Sequence, residues 1–159
     1  MFNHVVRWGV VLGVFLQSTG AAAVWYVNQA NAGGTETGQS WDEAFSNLAV
    51  ALETARLEGG EVWVAEGIYR KTDSVGFYIY PFVHVYGGFS GVETSLAERS
   101  FWEHPTLIDG ENTRRCVLME TGGVLDGLVL MNGYAEQGAG VLGLEPGLSG
   151  MEQPRLIAN

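Results

Sequence analysis

Two carboxylates stand directly before glycine at the ends of apolar segments: Asp109 in Thr106-Leu107-Ile108-Asp109-Gly110 and Asp126 in Val124-Leu125-Asp126-Gly127. Asp-Gly is a favoured turn pair, and turn chemistry alone accounts for both. If their strands stack, the two carboxylates face one groove and become candidate calcium ligands. Calcium takes six or more oxygens, and Glu111 and Asn112 add oxygens nearby without completing a recognisable loop pattern. Arg114-Arg115 offers a basic pair that could take a proton, although two arginines in a polar connector read first as a solvated turn. His84 alternates with Val83 and Val85 and so faces away from them. His104, before Pro105, has no acid or serine at a catalytic spacing. No hydrolase elbow, phosphate loop or zinc pattern occurs, and no catalytic residue is assigned. Cys116 is the only cysteine, which rules out an intramolecular disulfide, and in Cys116-Val117-Leu118-Met119 it reads as a small buried hydrophobe.

Tyr69, Tyr78, Tyr80 and Tyr86 form the other chemical lead. Flat rings with hydroxyl tips suit pyranose faces, so these four are the candidate carbohydrate-contacting residues. The same side chains also fill cores and stabilise cross-strand pairs.

Charge narrows the partners. The formal net charge is −10, and the only lysine is Lys71. That balance makes nucleic acid and anionic membrane surfaces poor partners, and no nucleic-acid partner is expected. The amino-terminal stretch has the layout of a secretory signal peptide: Arg7, the nine-residue apolar run Trp8 to Leu16, and small residues ending in Ala21-Ala22-Ala23. A membrane span needs roughly 20 apolar residues, more than this run supplies. The reading is therefore a signal over residues 1–23, an extracellular or cell-surface location, and no transmembrane span in the mature chain.

Residues 24–60 are read as a first strand and a helix, and residues 61–159 as a strand series. Ser40 and Glu43 have capping-box spacing, and Trp41, Phe45, Leu48, Leu52 and Ala55 recur at intervals of four and three, which predicts one apolar helical stripe. Gly59-Gly60 supplies the stop. Beyond it the segments Val62–Val64, Phe77–Tyr80, Phe82–Tyr86, Thr106–Ile108, Cys116–Met119 and Val124–Leu130 are short and rich in branched or aromatic residues, with glycine, asparagine or aspartate between them. Such spacing predicts an all-β solenoid, sandwich or barrel. Two internal echoes favour the solenoid. Pro105-Thr106-Leu107-Ile108 is matched by Pro154-Arg155-Leu156-Ile157 at an offset of 49 residues, two coils of about 24, and Leu107–Gly110 is matched by Val124–Gly127.

Trp25-Tyr26-Val27-Asn28, Gly38-Gln39-Ser40-Trp41 before a helix, Glu61 through Tyr69, Val85-Tyr86-Gly87-Gly88-Phe89-Ser90-Gly91 and Leu125-Asp126-Gly127-Leu128 together resemble the amino-terminal portion of secreted right-handed parallel β-helix proteins of the pectin-lyase-like superfamily. The resemblance covers roughly residues 24 to 142. It implies an all-β, right-handed parallel β-helix with one capping α-helix over its first coil, and coils about 4.8 Å apart. It also implies that Asp109 and Asp126 could hold calcium, and that Arg114-Arg115 could abstract a proton beside a uronate carboxylate. No single activity follows, because that superfamily holds polysaccharide lyases and hydrolases, surface adhesins and members of no known function.

The expected function is that of an exported, noncatalytic β-helix segment, adhesive or in contact with a polysaccharide or cell-surface glycan. The alternative is the amino-terminal part of a polysaccharide lyase or glycoside hydrolase whose catalytic coils lie beyond residue 159. The chain is expected to be a fragment of a longer surface protein, and an open last coil is expected to favour self-association.

Overall fold

The computed structural model describes residues 22–31, 34–71, 73 and 75–144, together with the backbone of 155–157. The signal-peptide reading of residues 1–23 lies almost wholly outside these residues. After β1 (Val24–Val27) and α1 (Leu48–Glu58), the chain consists of short strands: β2 (Glu61–Ala65), β3 (Gly67–Tyr69), β4 (Phe77–Ile79), β5 (His84–Phe89), β6 (Thr106–Asp109), β7 (Val117–Met119), β8 (Val124–Asp126), β9 (Leu128–Met131), β10 (Val141–Gly143) and β11 (Arg155–Ile157). Every strand pairing is parallel. An all-β, parallel-strand fold with a single α-helix is thus the architecture of the described residues.

The strands form three sheets, ordered β1-β2-β5-β8-β11, β3-β6-β9 and β10-β7-β4. From β2 onward the chain visits the first, second and third sheets in that cyclic order, three times over, before β11 returns to the first. Successive register partners on the first sheet are Glu61, His84, Val124 and Arg155, so the circuits take 23, 40 and 31 residues. Inward positions stack in ladders. Val62, Val85 and Leu125 are register partners and almost fully buried. On the third sheet Phe77 pairs with Val117 and Ile79 with Met119, all four buried. Branched and aromatic residues recur at these places because each inward side chain packs on the equivalent residue of the next circuit.

Three sequence expectations are corrected by this topology. Val124–Leu130 is two strands on different sheets, broken at Gly127, whose φ of 71° turns the chain from β8 into β9. A Cβ at Gly127 would also lie 2.8 Å from the Gly87 carbonyl oxygen, so the position requires glycine twice over. The two internal echoes do not mark equivalent positions in the strand order: β6 belongs to the second sheet, whereas β8 and β11 belong to the first. Phe82 lies in a turn ahead of β5 with φ of 60°, and is not part of the strand.

The helix begins later than its capping-box spacing predicts. Its N-cap is Asn47, whose Oδ1 accepts from the Ala49 amide at 2.9 Å. Ser40 and Glu43 form a separate turn, with the Glu43 amide donating to Ser40 Oγ at 3.3 Å. Leu48, Ala51, Leu52 and Ala55 are buried, and the helix packs against β1, β2 and β4 at the start of the strand series. Gly59, with φ of 77°, ends it as expected and returns its amide to the Ala55 carbonyl.

Trp41 serves a different surface from the helical stripe. It joins Tyr26, Trp63 and Phe89 in an aromatic cluster on the outer side of the first sheet, with Trp63 and Phe89 stacked at 4.8 Å. Its indole N–H donates to the Glu93 carbonyl at 2.8 Å. The long segment between β5 and β6 is thereby pinned over that cluster, which buries aromatic area that a solvated outer face would expose.

Candidate functional site

Asp109 and Asp126 occupy different sheets, and each is engaged by its own arginine. Asp109, at the end of β6, accepts from Arg70 through Oδ2 at 2.9 and 3.1 Å, and through Oδ1 from the Asn132 amide group at 3.0 Å and the Glu111 backbone amide at 2.9 Å. The Asn132 donor, followed by the Glu111 amide and Arg70, holds its carboxyl below the usual carboxylate range. Asp126, at the end of β8, pairs with Arg99 at 2.7 Å. Glu111 and Arg114 form a further pair at 2.6 Å, and Arg114 also donates to the Lys71 carbonyl. Arg115 donates to the carbonyls of Gln137 and Gly138, at 2.7 and 2.9 Å. Both arginines of the Arg114-Arg115 pair therefore tie connectors together. Among the described residues no group of three or more His, Cys, Asp or Glu side chains is placed to hold a metal ion.

The four tyrosines separate. Tyr69 is 3% exposed and belongs to the core: its hydroxyl donates to the Ala65 carbonyl at 3.1 Å, and burial pushes its pKa up to about 12. Tyr86 lies on the outer face of the first sheet, with the Arg99 guanidinium 5.2 Å from its ring centre. Tyr78 and Tyr80 come together beside the third sheet, their rings 4.8 Å apart and inclined at 55°. Alternation explains the pair. Phe77 and Ile79 point inward and are buried, so Tyr78 and Tyr80 face outward and are half-buried.

Helix α1 supplies the rim of this tyrosine pair. Arg56 lies 5.2 Å over the Tyr80 ring and pairs with Glu53. Hydrogen bonding from Arg56, then from Tyr80, brings the Glu53 carboxyl down to about 2, and Glu53 in turn raises the Tyr80 phenol. The Tyr78 hydroxyl donates to Glu120. A small recess of about 50 Å³ opens between the rings and the helix, lined by Ala49, Leu52, Lys71, Tyr78 and Tyr80. A larger cleft of about 540 Å³ adjoins it, sharing Ala49 and Lys71 and adding Gln29, Asn47, Arg70 and Asp73. The arrangement is a half-buried aromatic pair bordered by paired charges, with the Arg56 guanidinium over Tyr80, and it combines ring area with hydrogen-bonding groups at its edge. The helix's part in it is not legible from the residues alone, because the i, i+3 pair Glu53/Arg56 reads as an ordinary exposed helix pair.

Comparison with protein-family models, with curated proteins and with solved structures returned no match.

Proposed function

We propose that this chain is an exported, noncatalytic segment that contacts a polysaccharide or cell-surface glycan through Tyr78 and Tyr80, and that its three-sheet circuit is that of a right-handed parallel β-helix. The single observation carrying the glycan reading is the outward Tyr78–Tyr80 pair at 4.8 Å, bordered by Glu53, Arg56, Glu120 and Lys71 above a cleft. The cyclic order of strands among three parallel sheets supports the β-helix, and α1 against β1, β2 and β4 supports a cap over its first coil. Secretion rests on the amino-terminal pattern of Arg7, an apolar run and three alanines.

The noncatalytic reading is supported by how the candidate acids and bases are spent. Asp109, Asp126, Arg114 and Arg115 each bind another part of the chain, an arrangement that serves packing. Affinity electrophoresis through gels containing neutral or uronic-acid polysaccharides tests the proposal. Retardation of the wild-type chain, lost in Tyr78→Ala/Tyr80→Ala, is the expected result. Unretarded migration in every gel contradicts it, and a calcium-dependent rise in absorbance with polygalacturonate would establish the lyase alternative.

A further inference from the structure

The outer face of the second sheet carries an aliphatic ladder. Ile68, Leu107 and Val129 are register partners across β3, β6 and β9, and Ile68 and Val129 are 38% and 49% exposed. Adjacent strands lie about 4.8 Å apart, so the ladder runs roughly 10 Å across the sheet. Beside Val129 is a groove of about 190 Å³ lined by Phe101, Trp102, Pro105, Gly127, Leu128 and Val129, and Trp102 is 80% exposed.

Two features select the occupant. The only polar side-chain atom among the lining residues is the Trp102 indole nitrogen, so a sugar seated there would find almost no partner for its hydroxyls, whereas an apolar side chain would lose nothing. The surroundings are acidic: Glu103 follows Trp102 in sequence, and Glu66, whose Oε2 meets His104 Nδ1 at 2.9 Å, directly precedes β3; both are exposed, and the whole chain carries −10. A second copy would bring the same excess of acid to the contact, whereas a cationic partner is drawn to it.

We infer that this face docks an amphipathic protein segment whose apolar side chains sit on Ile68, Leu107, Val129 and Trp102 and whose lysines or arginines meet Glu66 and Glu103. A ladder of roughly 10 Å matches about two turns of a helix presenting residues at i, i+3, i+4 and i+7. This face lies on a different sheet from the tyrosine pair, and the inference stands independently of the glycan reading.

The test uses the full chain and a fluorescently labelled synthetic amphipathic peptide of about 14 residues built from leucine and lysine, with a leucine–glutamate peptide of the same pattern as control. Trp102→Ala and Val129→Ser leave the protein's charge unchanged, and the exposure of both residues keeps the fold out of the comparison, as unchanged melting curves would verify. Fluorescence anisotropy is expected to show binding of the lysine peptide, weakened at least about tenfold by each variant and further by salt, with no binding of the glutamate peptide. Equal binding to wild type and both variants would reduce the effect to diffuse charge attraction and overturn the inference. So would no binding of the lysine peptide, equal binding of the glutamate peptide, displacement by a neutral oligosaccharide, or a wild-type dimer in sedimentation that Trp102→Ala dissolves.

Discussion

The Arg99 guanidinium lies 2.7 Å from the Asp126 carboxylate, with only 16% and 9% of the two side chains exposed. It joins the long segment between β5 and β6 to β8, the neighbour of β5 in the first sheet, and the same guanidinium lies over Tyr86. Withdrawing one partner from a largely buried pair is more damaging than the pair is stabilising, because the remaining charge stays desolvated. Arg99→Met keeps the aliphatic stem and removes the charge. Chemical denaturation should show a loss of about 3 kcal/mol; a loss below about 0.5 kcal/mol would place this pair with exposed surface pairs.

Glu93 fastens the same segment from within. Its carboxylate accepts from the amides of Ser90, Gly91 and Val92 at 2.7, 3.0 and 3.0 Å, and the residue is 8% exposed. Burial opposes its ionisation, but the Ser90 amide and hydroxyl, with further backbone donors, outweigh that effect and hold the carboxyl at about 2. A folded-state value below the unfolded one gives stability that is fully present above the unfolded value and lost as pH falls from about 4.5 toward about 2. Stability measured across that window should decline by about 2 kcal/mol more in the wild type than in Glu93→Gln. Parallel curves for the two proteins would show that Glu93 is not the titrating group.

Phe82 occupies a left-handed conformation, with φ of 60°, in the turn between β4 and β5. Gly122 takes φ of 71° in the corresponding turn between β7 and β8, against the Phe82 ring. Bulky residues are strained there and glycine is not, and the Phe82 side chain is 59% exposed. Phe82→Gly should therefore stabilise by about 1 kcal/mol, the relief of αL strain exceeding glycine's entropic cost. A lower melting temperature would show that the ring's contact with Gly122 matters more than the strain.

Two caps separate what the helix region looks like in sequence from what it does. Asn47→Ala removes the side chain that accepts from Ala49, and should cost about 1 kcal/mol in a thermal melt. Ser40→Ala touches only a turn outside the helix and should cost under about 0.5 kcal/mol. A reversal of that order would restore the earlier helix start.

The contrast shows which levels of structure the residues disclose. Strand positions were legible where branched and aromatic residues alternate between glycine turns, as in Val62–Val64 and Phe77–Ile79, because inward packing demands that pattern. The helix face at Leu48, Leu52 and Ala55 was legible for the same reason. Sheet membership was not: Leu107 and Leu125 look alike in sequence yet sit in different sheets, since a corner at Gly127 is set by one backbone angle. Trp41 fitted a helical period by coincidence of spacing, while its partners Tyr26 and Phe89 arrive from strands far along the chain. At the candidate site, alternation put Tyr78 and Tyr80 on one outer face, whereas the burial of Tyr69 depends on an inward register that composition does not reveal. The ion pairs of Asp109 and Asp126 join residues 39 and 27 positions apart, beyond any local signal.

Isothermal titration calorimetry of the full chain with a panel of neutral and uronic oligosaccharides tests the glycan reading most directly. Saturable heat is expected from at least one oligosaccharide, with that ligand recovered uncleaved and the signal lost in Tyr78→Ala/Tyr80→Ala at unchanged melting temperature. Saturable binding that survives the double substitution, or recovery of cleaved sugar, would contradict that reading.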